Sequence, residues 1–138
     1  MTMTQRSTTA PAIPDHDLLD PKLRRIIATA AVAFRPYDRY GVARDDMEWL
    51  PLGDAGDRPG RPEIFLLRFK PGAASTPHTH TGGEEFYVIE GELTDCDGTT
   101  LRAGDYVKYQ PGSRHFSASK TGCTLLAILH GRNTRLES

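Results

Sequence analysis

Two histidines and a glutamate, His78, His80 and Glu84, lie within seven residues of one another. Side chains two apart on an extended strand point to the same face, so His78 and His80 are expected to offer two imidazoles to one point. Glu84 follows Gly82 and Gly83, whose tight turn can aim its carboxylate toward the imidazoles. Two neutral imidazoles and a carboxylate suit Zn, Fe(II), Mn or Ni. This stretch therefore predicts a metal site.

The length and composition bound the classes of protein to which the chain can belong. Its 138 residues correspond to about one domain, and 13 Gly and 10 Pro with 38% hydrophobic residues indicate a turn-rich globular fold. The balance of 17 basic and 18 acidic residues provides no phosphate-binding surface, so no nucleic-acid partner is expected. The longest apolar run is too short to cross a bilayer, and the N-terminus lacks the apolar core of a signal peptide. We expect a cytoplasmic protein with no membrane partner.

The two cysteines, Cys96 and Cys123, lie far apart and show no C-x-x-C spacing. Neither a disulfide framework nor a zinc knuckle is therefore expected. We predict a structural role for both, because cysteines without an activating environment are usually inert packing groups.

The first third of the chain is predicted to be a tail followed by a helix. Residues 1–17 lack periodicity and are expected to form a flexible tail. Residues 18–45 are expected to contain a short N-terminal helix and a linker. Asp20 as N-cap and Pro21 at the first helical position predict that helix over about 21–34. Its apolar stripe is expected to pack against the same domain, with a dimer contact as the alternative.

From Met47 onward, alternating hydrophobicity punctuated by turns predicts β-strands. Strands are expected in the segments MEWLPL, EIFLLRFK, HTH, FYVIEGEL, TTLR, YVKYQ and CTLLAILHG. Short strands at regular spacing without helices predict a β-sandwich or barrel. The single H-x-H predicts one barrel, over residues 46–131, with residues 132–138 as a C-terminal tail.

Two segments resemble the paired motifs of the cupin superfamily. The first, G-x5-H-x-H-x3-E-x6-G, begins at Gly72, and the second, G-D-x5-P-G-x2-H, ends at His115. Both occur in order at a suitable separation, within residues of about 47–130. The GGEE, PGSRH and GC sequences are most similar to the cupins related to the zinc-binding domain of the anti-sigma factor ChrR and to 2,4'-dihydroxyacetophenone dioxygenase.

The resemblance implies an all-β, single-domain cupin jelly-roll β-barrel, here with the short N-terminal helix added. It also implies one divalent metal ion per chain, with Fe(II) favoured and Zn, Mn or Ni as alternatives. The implied ligands are His78, His80, Glu84 and His115. Glu85 is expected to face outward.

Four further residues are candidates for the pocket beside the metal. Phe86 and Val88 share the expected face of Glu84 and would give an apolar lining. Arg68 could bind a carboxylate or enolate oxygen through its planar fork, or could be a surface charge. Tyr109 is a candidate for the mouth, although cross-strand packing is favoured for it. No separate protein base can be assigned from the sequence.

The leading functional prediction is a metal-dependent dioxygenase that acts on a small enolisable ketone or hydroxyketone. Its expected partners are that small-molecule substrate and dioxygen, and the resemblance implies a homodimer. One alternative is a non-catalytic zinc-binding cupin that senses a ligand or oxidant. Another is a non-redox metal-dependent isomerase, lyase or hydrolase.

Overall fold

The computed structural model of the chain describes residues 17–53 and 60–137. In these ranges the chain forms twelve β-strands and two short 3-10 turns. The strands are β1 (Arg35–Pro36), β2 (Met47–Gly53), β3 (Glu63–Phe69), β4 (Ala73–Ala74), β5 (His78–His80), β6 (Glu84–Asp95), β7 (Thr100–Arg102), β8 (Tyr106–Tyr109), β9 (Arg114–His115), β10 (Ser117–Ser119), β11 (Cys123–Leu129) and β12 (Asn133–Arg135). The predicted all-β class is confirmed.

The strands form two antiparallel sheets. The larger sheet has the order β1-β2-β3-β11-β6-β10-β4, with β7 and β8 also paired to the long strand β6. This sheet curls into a half-barrel. The smaller sheet has the order β12-β5-β9 and carries the histidines. In the described ranges no helix is long and apolar enough to cross a membrane.

Alternation along the central strands places the core inside the curl. On β3, Phe65, Leu67 and Phe69 are buried in one cluster with residues of β2, β6 and β11. Fully burying a side chain of this size contributes roughly 1.5–3 kcal/mol to folding. The same cluster includes Leu125 and Ala127 of β11, which pair directly with the inward residues of β3. The core therefore fixes the sheet to which the histidine strands are attached.

The expected helix over residues 21–34 is wrong: only Pro21–Leu23 and Thr29–Ala31 form single 3-10 turns. Asp20 does act as the N-cap of the first turn, because its Oδ1 accepts a hydrogen bond from the Lys22 amide at 3.0 Å. The apolar stripe, however, gains no partner, since Leu23 is 82% exposed and Ile26 is 58% exposed. Without tertiary packing, a helix of this length is marginal in water.

The chain ends also differ from the expectation where they are described. The C-terminal tail expected over 132–138 contains β12, which pairs with β5 from Asn133 opposite His80 to Arg135 opposite His78. The tail expected over 1–17 lies outside the described residues except for its last residue.

Gly91 lies on β6 next to a bulge, where the pairing with β11 shifts register between Thr124 and Leu125. Its φ of +81° favours glycine, and a Cβ there would collide with the Gly122 carbonyl oxygen and the Cys123 backbone. Gly98, in the turn after β6, has a similar φ of +91° but has no atom within 4 Å of an added Cβ. Both glycines therefore have a left-handed backbone conformation, but only Gly98 of the two has room for a Cβ.

We expect Gly91→Ala to destabilise the protein much more than Gly98→Ala. The second change carries only the left-handed backbone cost of about 1–2 kcal/mol. The first adds an overpacking cost of about 1–3 kcal/mol against backbone that cannot turn aside. Urea unfolding of both variants measures the difference, and equal losses would contradict the close approach of β6 and β11.

Candidate metal centre

Three histidines meet on two neighbouring strands of the small sheet. His78 and His80 lie on β5, and His115 lies on β9 directly opposite His78. Their ring centroids are 4.6 to 4.8 Å apart. One potential ligand atom from each ring lies within 4.8 Å of the others, and His80 is fully buried. The structure thus brings together three of the four ligands implied by the sequence.

Each of the three rings uses its Nδ1 atom in a hydrogen bond to an oxygen. The acceptors are the Thr76 carbonyl for His78 (2.6 Å), Asn133 Oδ1 for His80 (2.7 Å) and Asp95 Oδ1 for His115 (2.7 Å). With every Nδ1 occupied in this way, the three Nε2 atoms are left for another partner.

These hydrogen bonds determine where the imidazole protons lie. Asp95 has a lowered pKa and is an acceptor when ionised, so His115 Nδ1 carries the hydrogen. The amide of Asn133 is oriented by its Nδ2, which donates to Glu84 Oε2 at 3.2 Å. Its Oδ1 therefore faces His80, whose Nδ1 must also be the donor. In the neutral rings both Nε2 atoms bear lone pairs.

His80 Nε2 and His115 Nε2 are 2.9 Å apart. Two lone pairs at this distance repel each other unless a proton or a cation lies between them. Two nitrogens bound at about 2.0–2.1 Å to one ion, at a right angle, would be about 2.9 Å apart. The donor set and its spacing therefore fit one transition-metal ion.

Burial keeps the imidazoles in the form that binds metals. It lowers the pKa of His80 to about 4 and also lowers that of His78, where the neighbouring His115 adds to the effect. Neutral imidazole is the metal-binding form, so these two rings need not lose a proton at neutral pH before an ion binds.

Asp95, the last residue of β6, connects His115 to the wall of the barrel. Its carboxylate also accepts hydrogen bonds from Tyr109 Oη at 2.6 Å and from Ser117 Oγ at 3.1 Å. Burial by itself would raise the pKa of Asp95, but the hydrogen bonds from Tyr109 and His115 outweigh it and lower the pKa. A charged Asp95 fixes the orientation of the His115 ring.

Sequence reasoning missed Asp95 and Asn133. Asp95 lies two residues beyond the predicted strand segment FYVIEGEL, although it has the parity of the buried Leu93 on the same strand. A carboxylate on the inward face at a strand end was the available signal. Asn133 was assigned to a tail, and its role depends on the pairing of β12 with β5, for which its neighbours in sequence give no signal.

Glu84 faces inward and Glu85 outward, as expected. Gly83, with φ of +90°, makes the turn before β6, and Glu84 is buried. Glu85 instead bonds to the Tyr106 hydroxyl and lies 2.8 Å from His130 Nε2.

Glu84 is not one of the three residues whose potential ligand atoms cluster. Its Oε2 lies 3.4 Å from His80 Nδ1, the ring nitrogen that does not face His115. Burial raises the pKa of Glu84 to about 7 despite the hydrogen bond from Asn133. The structure therefore places this carboxyl group beside the histidine cluster, where it can hold a proton near neutral pH.

His78 and His115 line a cavity with mostly apolar walls, to which Phe86 contributes as expected. Val88 is fully buried in the core and is not part of the lining. Tyr109 lies behind the histidines, with its ring centroid 4.2 Å from that of His115 and its hydroxyl bonded to Asp95. These positions make Phe86 a wall residue and Tyr109 a support for His115.

Arg68 lies outside this cavity. Because Phe65, Leu67 and Phe69 face the core, the alternation of β3 turns Arg68 to the opposite face. There its Nη1 donates to Glu48 Oε1 at 2.7 Å, and its guanidinium lies 3.9 Å from the ring centroid of Phe34. The surface-charge alternative therefore describes its position.

The cysteines lie apart from the histidines and are both free. Cys123 is buried on β11, and burial raises the pKa of its thiol to about 12, which keeps it protonated. Cys96 is exposed in the turn after β6.

A family model described as the ChrR cupin-like domain matches residues 24–132. No curated protein sequence matches the chain. Among solved structures, acetylacetone dioxygenase from Acinetobacter johnsonii has a TM-score of 0.68 at 14% identity, covering 100% of this chain and 86% of that one. The polyketide cyclase RemF from Streptomyces resistomycificus has a TM-score of 0.69 at 17% identity, covering 83% and 87%. An RmlC-like cupin from Ralstonia eutropha has 0.67 at 21%, covering 77% and 68%. These likenesses establish a shared fold.

The raised pKa of Glu84 predicts a pH dependence of stability in the metal-free protein. The ordinary pKa of 4.5 applies in the unfolded chain and about 7 in the folded one, so the carboxyl group favours folding below pH 4.5. This contribution is lost as the pH rises through 7. Glu84→Gln should remove the loss and make the variant more stable than the parent above pH 7, by up to about 3 kcal/mol.

Urea unfolding between pH 4.5 and 8, after metal removal by a chelator, measures this difference. Glu85→Gln is the matched control, because Glu85 carries the same group on the outer face. Stability curves of Glu84→Gln and the parent that stay parallel across this window would contradict the raised pKa.

Proposed function

The chain belongs to the family of ChrR cupin-like domains, and on that premise we propose that it is a mononuclear metal-dependent dioxygenase acting on a small enolisable ketone or hydroxyketone. The observation that carries the metal part is the 2.9 Å separation of His80 Nε2 and His115 Nε2, with both Nδ1 atoms donating elsewhere. The fold shared with acetylacetone dioxygenase supports the reaction class.

In this proposal His78, His80 and His115 hold the ion through their Nε2 atoms. Glu84, the fourth ligand that the resemblance implies, lies beside them, with its Oε2 3.4 Å from His80 Nδ1. Fe(II) is favoured because imidazole ligands suit it and because dioxygen chemistry requires a redox-active ion. The bound ion supplies Lewis acidity and electrons for the reaction with dioxygen.

Glu84 is the carboxyl group in the cavity lining, among the described residues. An enolisable ketone must lose a proton from the carbon beside its carbonyl group, and Glu84 is placed to accept it. A buried carboxyl group in the cavity lining suits this transfer. Glu84 thus fills the role of base that the sequence left unassigned.

The apolar walls have a separate role, which is to exclude water from the bound substrate. Phe65, Leu67, Phe86 and Leu125 line the cavity and are all buried. An apolar lining favours a small, partly apolar substrate and strengthens electrostatic interactions inside.

We expect protein purified without added metal to contain one metal ion per chain and, when loaded with Fe(II), to consume oxygen with a 1,3-diketone or α-hydroxyketone. His80→Ala should lose metal and activity together, because His80 supplies one of three ligands. His130→Ala is the matched control, since His130 bonds Glu85 on the outer face. Elemental analysis and an oxygen electrode make the measurements.

Stoichiometric zinc with no oxygen uptake across a panel of such ketones would overturn the dioxygenase assignment. That result would favour a zinc-binding sensor or a non-redox metal enzyme. Full metal occupancy in His80→Ala would instead overturn the ligand assignment.

Asp95→Asn should weaken metal binding about 10- to 100-fold, because loss of an outer carboxylate makes a histidine a poorer and less well oriented ligand. Asp97→Asn is the control, since Asp97 is exposed and its carboxylate accepts a hydrogen bond from the Thr99 amide in the turn after β6. Competition with a chromophoric chelator measures both affinities. Unchanged affinity in Asp95→Asn would show that Asp95 has no influence on the ion.

A further inference from the structure

Tyr40 lies in the loop between β1 and β2 and lines the same cavity as His78, Glu84 and His115. Its hydroxyl oxygen exposes less than 1 Å² and has no hydrogen-bond partner within the described part of the chain. Leaving a buried hydroxyl unpaired costs about 1–3 kcal/mol. Such groups are rare in native structures, and each calls for an explanation.

Other polar groups of the lining already have partners. These are Tyr37 Oη with Arg39, Ser75 Oγ with the Ser117 amide, Thr76 Oγ1 with Arg44, Ser117 Oγ with Asp95, and Asn133 with His80 and Glu84. Two further buried groups are unpaired in the described ranges, Trp49 Nε1 and Ser113 Oγ, but neither residue lines the cavity. Tyr40 is therefore the residue of the described lining that combines a place in the cavity wall with a buried, unpaired hydroxyl.

The residues that directly precede Tyr40 in this loop are anchored. Arg39 makes two hydrogen bonds to Glu63, at 2.7 and 3.1 Å, and its guanidinium lies 5.0 Å from the ring centroid of Trp49. The ring of Tyr37 packs edge-on against that of Tyr40 at 6.5 Å. These contacts hold the hydroxyl in position before any ligand arrives.

The Tyr40 hydroxyl keeps its proton at ordinary pH. Burial raises its pKa, and the neighbouring Tyr37 adds to the effect. A protonated hydroxyl in an apolar wall is a hydrogen-bond donor to whatever oxygen enters the cavity.

We propose that Tyr40 is a substrate-recognition residue whose Oη donates a hydrogen bond to an oxygen atom of the ligand in the metal cavity. The ligand class is a small molecule with an apolar body and a carbonyl, enolate or carboxylate oxygen. This inference rests on the proposed function only in requiring that an oxygen-bearing ligand binds the metal-loaded site. It does not depend on oxygen chemistry.

The test uses Tyr40→Phe, which keeps the ring and removes only the hydroxyl. Tyr106→Phe is the matched control, because Tyr106 is exposed on β8 and bonds Glu85 on the outer face. Calorimetry of zinc-loaded protein with acetohydroxamate, a small oxygen chelator, gives the dissociation constants. We expect a rise of about 3- to 10-fold in Tyr40→Phe, as for the loss of one hydrogen bond, and a change within about twofold in Tyr106→Phe.

Thermal unfolding of the metal-free variants distinguishes a recognition role of Tyr40 from a purely structural one. Because the hydroxyl is unpaired, its removal should leave the melting temperature of Tyr40→Phe unchanged or raise it by about a few degrees. A hydroxyl that stabilises the fold through a partner would lower it. In the zinc-loaded samples used for calorimetry, the zinc content of the parent, Tyr40→Phe and Tyr106→Phe should be equal.

The outcomes separate this inference from the proposed function. Weaker hydroxamate binding by Tyr40→Phe, with no oxygen uptake by the parent, would support recognition by Tyr40 and refute the dioxygenase. Equal affinity in Tyr40→Phe, a lowered melting temperature, or no hydroxamate binding by the zinc-loaded parent would overturn the recognition role, whatever the oxygen uptake.

Discussion

The three hydrogen bonds donated by the imidazole Nδ1 atoms are the constraint on which the rest of the site depends. Each acceptor belongs to a different part of the chain: the backbone before β5, the end of β6 and the start of β12. Together they fix three tautomers and three ring orientations, so the Nε2 lone pairs converge on one point. The barrel topology is needed for this arrangement, because no local segment contains all the acceptors.

The charges around the histidines follow from the same hydrogen bonds. Asp95 remains ionised because it accepts hydrogen bonds from Tyr109, Ser117 and His115. The bond to this carboxylate in turn increases the electron density on the His115 ring. Among residues 17–53 and 60–137, Asn133 is the side chain that donates a hydrogen bond to Glu84, so burial dominates and raises the pKa of Glu84. Two inward-facing carboxyl groups of one strand thus differ in protonation because one has several donors and the other has one. The first supports a ligand, and the second is available for proton transfer.

The sequence predicts the part of the site that depends on local periodicity. The two-residue spacing of His78 and His80 and the glycine turn before Glu84 give their correct directions, because strand alternation is a local property. The relation of Glu84 to the imidazoles could not be predicted, since it depends on how Asn133 of β12 inserts its amide beside His80.

The other errors have the same physical origin. The segment after Asp20 has helix-forming residues, but Leu23 and Ile26 stay largely exposed, and propensity alone does not sustain a helix. Alternation along β3 does not by itself say which face Arg68 occupies, and the packing of Phe65 and its neighbours in the core decides it. Tertiary packing, which the sequence pattern does not reveal, decides each case.

The loop around Tyr40 shows how an unfavourable group can be retained. A mobile loop would turn an unpaired hydroxyl toward water, so the hydroxyl stays in the cavity wall only if the loop is rigid. Burial disfavours the charge of Arg39, yet its hydrogen bonds to Glu63 and the neighbouring Tyr37 more than compensate and raise its pKa. The contacts of Arg39 thus hold this part of the loop in place, and the cost of the unpaired Tyr40 hydroxyl would be recovered when a ligand oxygen accepts its hydrogen bond.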